Sequence, residues 1–479
     1  MKSVIVVGAG FAGLSAAIEL ARRDLRVTVV ESQSSPGGRA QRLHAAGGYT
    51  FDAGPTLLVM TDVLRSVLGA DAFEDLSLER LEPGYRVLWP GGERFEMSSN
   101  LARFLEEIAR FEGFDRRSPA LEYLAAVHEQ YLQARAKILD VDHTPLSFLA
   151  TLLRPGRFAP WSLRPLLRFA RKYFRSDRVV QALTFQPLYL GTSPLRAPGV
   201  YAMLAVEEIV GGVWYARGGI GTVVDALEAQ ARALGVTFAY DAPARAVVEE
   251  RGRARGVRCD GGELRADGVV VTADREPAMR ALFADPPRMR RRLRYGHSAI
   301  VWYLGIEGSV ELPHHSMLLP DDAWSAYEAL DRGEEPSEPL VYACNPCISD
   351  ESRAPRGHSV LTLLAPVPNA SALPRLDEEA LFARVLARVE REAGPLRRRI
   401  RYAGSRGPRT FASQLQLARG AAFGPDHTLD QMAVLRPSIR HPRIGNVVFA
   451  GSGTHPGSGV PMVLISGRLA AQHLVEAIA

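Results

Sequence analysis

The feature that most limits how this chain can fold is its first stretch, SVIVVGAGFAGLSAAIELA. Val4–Val7 is a run of β-branched residues, which is typical of a strand buried on both faces of a parallel sheet. Three glycines follow at Gly8, Gly10 and Gly13, and Leu14–Arg22 has the composition of a helix. The sequence therefore predicts a strand, a tight turn and a helix, which is the first unit of an α/β fold.

The glycines and one acidic residue indicate a bound dinucleotide. Gly8 allows the tight turn, Gly10 lets the backbone approach a pyrophosphate, and Gly13 lets the helix pack closely on the strand. The helix N-terminus then faces the phosphates. A second apolar run, Arg26–Val30, ends at Glu31, and a carboxylate at this spacing accepts hydrogen bonds from an adenosine ribose. Because strand, turn, helix and acid agree, we predict a dinucleotide site rather than a bare tight turn.

The nucleotide-binding pattern is interrupted along the chain. A polar-faced helical region runs from about Asn100 to Arg178, and buried-strand patterns return at Gly268–Asp274 and Asn446–Gly451. We therefore predict an α/β protein with a discontinuous Rossmann-type domain, a substrate domain built on a mixed or antiparallel sheet, and an inserted helical, membrane-facing region. The predicted boundaries are 1–75, 212–290 and 421–479 for the Rossmann-type domain, 76–99 and 291–420 for the substrate domain, and 100–211 for the insertion.

Composition excludes several other classes of protein. With 47% apolar and 23% charged residues, the chain has ordinary globular usage, which excludes extensive disorder. No apolar run reaches the ~18 residues that span a bilayer, and no secretory leader is visible. Three cysteines cannot form a disulfide framework, and such sparse use fits the cytoplasm. The Cys344–Cys347 spacing, CNPC, could be a redox or metal half-site, but without a second CxxC we interpret it as small residues buried in a turn.

Positive charge is concentrated in one segment of a chain whose net charge is +5. Arg154–Arg178 carries eight basic residues interleaved with aromatic and leucine side chains. This pattern fits the headgroup region of an anionic membrane, with the apolar side chains in the acyl region, or a solvated helix packed on its own core. We expect peripheral membrane association. A second basic run, Arg288–Arg294, is interpreted as a solvated face, and no nucleic-acid-binding module accompanies either segment.

Five motifs together resemble the bacterial phytoene desaturase type of carotenoid desaturases, within the flavin amine-oxidase-like superfamily. The motifs are VGAGFAGL around Gly8, PGGRA at Pro36, FDAGPT at Phe51, GVWYARGGIG at Gly212 and RPSIRHPRIGNVVFAGSGTHPGSGVP at Arg436. The resemblance covers nearly the whole chain. Its most specific part is AGSGTHPGSGVP near the C-terminus.

The resemblance implies an FAD-dependent oxidoreductase that converts a CH2–CH2 unit of phytoene into CH=CH, with hydride passing to flavin N5 and a proton lost. A helix beginning near Val460 would point its positive end at the flavin edge that gains negative charge. No metal centre is expected, since the cofactor carries the difficult step. The residues that the resemblance assigns to FAD are Gly8, Gly10, Phe11, Ala12, Gly13, Glu31, Gly38, Arg39, Gly54, Pro55, Thr56, Gly451, Ser452, Gly459, Val460 and Pro461.

The proton acceptor is left open by the sequence. His455 lies in a loop expected close to the flavin, where it is either a candidate catalytic acceptor or a capping, structural residue. Some relatives carry an acid after a shared LSF element, but this chain has Ala150 in that region after Leu146–Phe148. Many flavin oxidoreductases have Asp where this chain has Ser452, which we interpret as a character of the carotenoid branch.

Several activities share these motifs. A second nucleotide fingerprint is absent from the sequence, so we expect quinone or oxygen rather than NAD(P)H as the partner for reduced flavin. The alternatives to phytoene desaturation are a later desaturase or oxidase acting on hydroxylated or partly desaturated carotenoids, and a flavin-dependent carotenoid cis–trans isomerase. A non-catalytic, flavin-stabilised lipid carrier is disfavoured by the intact motifs around Arg39, Gly54 and His455.

Overall fold

The computed structural model describes residues 1–152, 159–285, 292–372 and 376–479. Its strands are β1 Ser3–Val7, β2 Arg26–Val30, β3 Arg42–Ala45, β4 Tyr49–Asp52, β5 Leu78–Arg80, β6 Tyr85–Leu88, β7 Arg94–Met97, β8 Trp214–Ala216, β9 Thr237–Ala239, β10 Ala244–Glu250, β11 Arg253–Cys259, β12 Gly262–Arg265, β13 Gly268–Val271, β14 Ser298–Glu307, β15 His315–Leu318, β16 Val341–Cys344, β17 His358–Val367, β18 Ile400–Arg406 and β19 Val447–Phe449. Its α-helices are α1 Phe11–Ala21, α2 Thr61–Leu68, α3 Ala70–Glu74, α4 Leu101–Glu112, α5 Arg117–Ala134, α6 Pro145–Leu152, α7 Leu166–Tyr173, α8 Asp177–Ala182, α9 Ala202–Val210, α10 Ile220–Ala233, α11 Arg275–Leu282, α12 Ala323–Arg332, α13 Glu378–Ala393, α14 Pro408–Gln414 and α15 Val460–Ile478.

A five-stranded sheet in the order β19-β13-β1-β2-β9 forms the first layer, and all of its neighbouring strands are parallel. The prediction that β1 is buried on both faces is confirmed. Val4 and Val6 pack toward α1, α10 and α15, while Ile5 and Val7 pack toward α11 and the β10–β12 sheet. Helices α1 and α15 approach closely at Gly467, where a Cβ would lie 2.3 Å from the Ala12 carbonyl oxygen.

A seven-stranded sheet in the order β18-β14-β17-β16-β15-β6-β7 forms the second layer. Only the β15–β6 pair is parallel, so the expectation of a mixed, antiparallel-leaning sheet is confirmed. Helix α13 covers one face through Val385, Leu386 and Val389. Residues of the opposite face, including Val301 and Met317, border the cavity described below.

Helices α4, α5 and α7 to α9 pack with β6 and β7 around a core rich in aromatic side chains. This core corrects the expected role of the basic segment, because Leu166, Phe169, Tyr173 and Phe174 are buried in it and face away from solvent. These side chains cannot enter a membrane while the core is intact. Part of the segment, 154–158, lies outside the described residues, as does 288–291 of the second basic run.

Other leucines of the helical region are exposed instead. Leu146 and Leu149 on α6 are 79% and 51% exposed, and Leu163 is 55% exposed. They belong to the same region of sequence as the exposed basic residues Arg164 and Arg168. No helix in the described ranges is both long enough and apolar enough to cross a bilayer.

The three cysteines are unpaired. Cys347 lies in a short helical turn, as expected for the CNPC motif, but Cys344 is the last residue of strand β16. The prediction that both cysteines lie in one turn is therefore wrong for Cys344, because β16 pairs with β15 and β17 up to that residue.

Candidate cofactor and substrate site

One elongated cavity of about 760 Å³ begins at the carboxyl edge of the five-stranded sheet and reaches the helical region. Parallel α/β sheets bind their ligands at this edge. Every residue that the sequence assigned to the cofactor lines this cavity except Gly13, and His455 lines it as well. The structure thus brings together segments separated by more than 400 residues of chain.

The glycine turn has the geometry that a close-lying phosphate requires. Gly8 has a φ of +104°, and Gly13 is so close to it that a Cβ there would lie 1.9 Å from the Gly8 carbonyl oxygen. A Cβ at Gly10 would instead find its nearest neighbour, the Gly37 carbonyl oxygen, only at 4.0 Å. Helix α1 begins at Phe11 without a side-chain cap, so its first N–H groups are available to an anion.

Glu31 stabilises the same turn by hydrogen bonds, and its carboxylate can still accept a further one. Its Oε2 accepts a hydrogen bond from the Ala9 N–H at 2.7 Å, and its Oε1 accepts from the Ser32 hydroxyl and the Gln33 N–H. A carboxylate has about four lone-pair sites, so one acceptor position remains for a ligand. The side chain is buried at the cavity wall.

Arg39 links two of the predicted cofactor segments. Its guanidinium donates to the Ser452 hydroxyl at 2.6 Å and to the Ala422 carbonyl at 2.9 Å. Burial lowers the pKa of Arg39, and the charge of Asp274 opposes this shift. The PGGRA and AGSG motifs therefore meet through one half-buried side chain.

Asp274 is a cavity residue that the sequence analysis did not assign to the site. Burial raises the pKa of its carboxyl, and the positive charge of Arg39 opposes this shift. Its Oδ1 is buried without a hydrogen-bond partner among the described residues. An orphaned oxygen at the cavity wall is the kind of group that a polar ligand satisfies. Its position after the buried strand VVVTAD was the signal that could have identified it.

The C-terminal glycine-rich loop is held from beneath by a buried arginine. Arg436 donates to the carbonyl oxygens of Ser452, Thr454 and Pro425 at 2.7, 3.2 and 3.1 Å. Burial lowers the pKa of Arg436 to about 10. Beyond the loop, α15 begins at Val460 without a side-chain cap, so its positive end opens to the cavity.

His455 fastens the helical region to this loop. Its Nε2 lies 2.9 Å from the Ile138 carbonyl oxygen, in the π-helical turn Arg135–Leu139 that continues α5. Burial lowers the pKa of His455, and the charge of Asp142 opposes this shift. One ring nitrogen of this predicted site residue is therefore occupied by the backbone of the cavity wall.

Two adjacent glutamates on α9, Glu207 and Glu208, also line the cavity, and the sequence analysis missed them. Glu208 accepts hydrogen bonds from the Tyr85 hydroxyl at 2.7 Å and from Gln186 at 3.3 Å, and burial raises its pKa to about 8. Burial raises the pKa of Glu207 to about 7, opposed by a hydrogen bond from Tyr131. The available signal was a pair of acids inside the apolar helix AMLAVEEIV.

The wall between the cofactor turn and α9 is mostly apolar. This cavity can therefore hold a dinucleotide at one end and a long apolar ligand at the other. Residues that form its apolar wall are Leu57, Val59, Leu139, Leu188, Leu190, Met203, Leu204, Val301, Met317, Leu364 and Phe423.

Comparisons with known proteins agree with this geometry. The model of the family "flavin containing amine oxidoreductase" matches residues 11–475. The chain is 33% identical to a zeta-carotene-forming phytoene desaturase of Myxococcus xanthus, covering 99% of this chain and 94% of that protein. It is 35% identical to an all-trans-zeta-carotene desaturase of the same organism, over 99% and 94%, and 31% identical to a lycopene-forming phytoene desaturase of Paracoccus, over 100% and 98%.

Solved structures of the same fold are more distant in sequence. Putrescine oxidase has a TM-score of 0.65 at 17% identity, over 99% of both chains. An oxidoreductase from Methanosarcina mazei has a TM-score of 0.65 at 15% identity, over 97% of this chain and 98% of the other. The family match, the whole-chain relatives and the fit of the site to a dinucleotide lead to one conclusion: this chain belongs to the flavin containing amine oxidoreductase family, in the branch of the phytoene desaturases, and its cofactor is FAD.

Proposed function

We propose that this protein is an FAD-dependent carotenoid desaturase that dehydrogenates phytoene. The observation that carries the proposal is the continuous cavity, polar at the carboxyl edge of the parallel sheet and apolar from there to α9. Whole-chain relatives named as phytoene and zeta-carotene desaturases support this class of substrate.

The residues at the polar end fit the cofactor. The turn Gly8–Gly13 and the N-terminus of α1 would hold the pyrophosphate, and Glu31 would accept from the ribose. Arg39 and the segment Gly451–Pro461 would lie along the rest of the cofactor. When bound, FAD supplies the hydride acceptor that no side chain can provide.

The apolar wall has two tasks in the proposed reaction. It positions a long hydrocarbon by shape, since such a substrate offers no hydrogen-bonding group. It also excludes water, which protects charge that develops next to the double bonds. Because the hydrocarbon gives few polar contacts, cavity length and side-chain volume would set which bond reacts.

The proton lost from the substrate requires an acceptor, and we assign this role to Glu207. It lines the cavity, and its Oε1 lies 3.8 Å from His128 Nδ1, whose side chain is 37% exposed. This pair offers a route from the dry cavity to solvent. A carboxyl whose pKa is close to the working pH is suited to accept a proton and release it again.

His455 receives a positioning role in this proposal. Its bond to Ile138 keeps the end of α5 over the cofactor loop, and its lowered pKa makes it a weaker base than an ordinary histidine. Ala150, in the region where some relatives have an acid, lies on exposed α6 and does not line the cavity. An acid at that position would therefore not border this cavity.

We further propose that the protein docks on membranes peripherally. The exposed leucines Leu146, Leu149 and Leu163 and the exposed cations Arg164 and Arg168 are the groups that would meet an anionic bilayer. Docking would give access to a lipid-dissolved substrate and to quinone or oxygen as the final electron acceptor.

The proposal is tested by product mass. FAD-loaded protein is incubated with phytoene in liposomes, the products are separated, and their molecular masses are measured by mass spectrometry. Desaturation removes two hydrogens per step. Activity only on hydroxylated or partly desaturated carotenoids would assign a later step, and an unchanged mass with altered geometry under reduced FAD would assign an isomerase.

A further inference from the structure

A cluster of metal-binding residue types lies apart from the cofactor turn, on β15, on β16 and at the residue just before β15. His314, His315 and Cys344 are all buried, and each offers one ligand atom within 4.8 Å of the others. His315 and Cys344 are directly opposite each other in the antiparallel pair, so their side chains share one face of the sheet. Strand register therefore brings His315 and Cys344 together, and His314 precedes His315 in the chain.

The two imidazoles are held at one nitrogen and unpartnered at the other. His314 Nδ1 lies 2.9 Å from the Ser349 hydroxyl, and His315 Nδ1 lies 2.8 Å from the Tyr342 hydroxyl. Both Nε2 atoms are buried without a hydrogen-bond partner in the described part of the chain. Metal-binding histidines characteristically use one nitrogen for an orienting hydrogen bond and the other for the metal.

We propose that His314, His315 and Cys344 bind one thiophilic metal ion, Zn²⁺ or Cu⁺. Two imidazole nitrogens and a thiolate suit these ions, whereas Mg²⁺ and Ca²⁺ prefer oxygen ligands. Zinc bond lengths place ligand atoms about 3.3 to 3.6 Å apart. The side chains must therefore close by about an ångström on binding, and a fourth position stays open for water in a tetrahedral zinc site.

A path from solvent reaches this cluster. His314 and Ser349 line a second cavity of about 440 Å³, whose wall also carries three glutamates, Glu79, Glu82 and Glu311. Arg86 is a positive group in the same wall, so the glutamates are in excess. On the other side, Tyr342 lines the substrate cavity and hydrogen-bonds to Thr56 at 2.5 Å. A bound ion would thus stiffen one wall of the substrate cavity.

This proposal revises two expectations from the sequence. No metal centre was expected, and the CNPC motif was interpreted as structural. Cys344 now has a candidate role, but Cys347 points elsewhere, since its Sγ accepts a hydrogen bond from the Val360 N–H at 3.3 Å. The histidine pair, thirty residues before the motif, could not be connected to it without the strand pairing.

The first test is the metal content of the purified holoprotein, prepared without chelator or affinity metal and measured by inductively coupled plasma mass spectrometry. We expect about one zinc or copper per chain, falling at least tenfold in Cys344→Ser and His315→Gln. Cys347→Ser is the matched control and should keep its metal. Equal loss in Cys347→Ser would assign the ion to the CNPC pair and overturn the ligand set. The FAD absorption spectrum reports whether each variant has folded.

The second test removes the ion and adds metal back. Chelator-treated holoprotein titrated with Co²⁺ should develop a thiolate-to-cobalt absorption band that Cys344→Ser lacks and Cys347→Ser retains. Competition with a Cu⁺-specific chelator, alongside zinc titration, distinguishes the two ions. Metal-free native protein that also gives no cobalt band at micromolar Co²⁺ would overturn the proposal and leave the two Nε2 atoms to a bound water.

Discussion

The two ends of the large cavity are built by different means. At the cofactor end, much of the wall is backbone: a glycine turn, held in shape by the close contact at Gly13 behind it, two uncapped helix N-termini, and Gly54, where a Cβ would lie 2.5 Å from the Arg39 carbonyl oxygen. The side chains of Glu31, Arg39 and Asp274 complete this wall. At the far end, the wall is made of side chains from α5, α9 and the seven-stranded sheet, among them Tyr131, Glu207 and Met317.

This difference determines which substitutions each end tolerates and which part of the ligand it selects. A backbone wall depends on a few positions where only glycine fits, so a single methyl group can close it. A side-chain wall can change its shape by substitution without loss of the fold. We therefore expect the cofactor to be fixed by the first end and substrate choice to be set by the second.

The largest effect on cofactor binding is expected from Gly13→Ala. Its Cβ would lie 1.9 Å from the Gly8 carbonyl oxygen, so the turn must shift, and forced overpacking costs about 1–3 kcal/mol. We expect FAD content to fall at least tenfold, measured by flavin absorbance per chain. Gly261→Ala is the control, because a Cβ there meets nothing within 4 Å. Full flavin content in Gly13→Ala would contradict the claim that close backbone contacts shape the cofactor end of the cavity.

The largest effect on the reaction is expected from Glu207→Gln, which probes the far end. We expect flavin reduction by phytoene to slow by about 10²–10⁴-fold, the usual contribution of a general base. In the unsubstituted protein the rate should rise with pH and level off above a pKa of about 7, since only the carboxylate accepts a proton. Tyr131, His128, Asp62 and Arg135 are the ionisable groups around it.

Stopped-flow measurement of flavin reduction across pH 5 to 9 checks this prediction. Glu208→Gln serves as the neighbouring control and should keep the rise near pH 7. A pH profile that survives in Glu207→Gln would assign the proton to another group, with His455 the first alternative.

Another effect of the far end concerns the pH dependence of stability. Burial raises the pKa of Glu208 from its ordinary value of 4.5 to about 8, so the folded protein holds this proton more tightly than the unfolded chain. Stability should therefore fall as pH rises from about 4.5 to 8, by at most about 1.4 kcal/mol per pH unit. Glu208→Gln should weaken this dependence, which melting temperatures at pH 5 and pH 8 would reveal. An unchanged slope would contradict the buried, protonated state.

The smallest effect for each side chain is expected at the surface. Reversing the charges of Arg164, Arg168, Arg171 and Lys172 should weaken binding to anionic liposomes, by about 1 kcal/mol for each cation near the membrane. Sedimentation with anionic vesicles measures this, and zwitterionic vesicles provide the control. Unchanged sedimentation would refute docking through these cations, and Leu146→Ser would then test the leucines alone.

The same contrast explains what the sequence could predict. Val4–Val7, the glycine spacing and Glu31 lie within one short segment whose chemistry is local, so strand, helix and cavity-lining positions followed directly. The aromatic residues of α7 were misplaced because a pattern of basic and aromatic residues does not say which neighbour covers it. Phe169 is buried by α5 and by Trp161, which stacks on it with ring centroids 3.9 Å apart.

The missed residues share a different cause. Glu207 became a site residue only because α9 faces a cavity whose opposite walls come from distant segments. Asp274 lies at the cavity wall beside the charge of Arg39, a residue more than 200 positions earlier in the chain. Contacts between residues so far apart in the chain depend on the topology of the fold, which cannot be read from a single sequence.

The most direct test of the account is anaerobic mixing of FAD-loaded protein with phytoene in liposomes, following flavin absorbance and product mass together. The account predicts bleaching of the flavin with loss of two hydrogens from phytoene in the same reaction. Unbleached flavin with unchanged phytoene, in protein that retains full FAD content, would contradict the assignment of the apolar end of the cavity to phytoene.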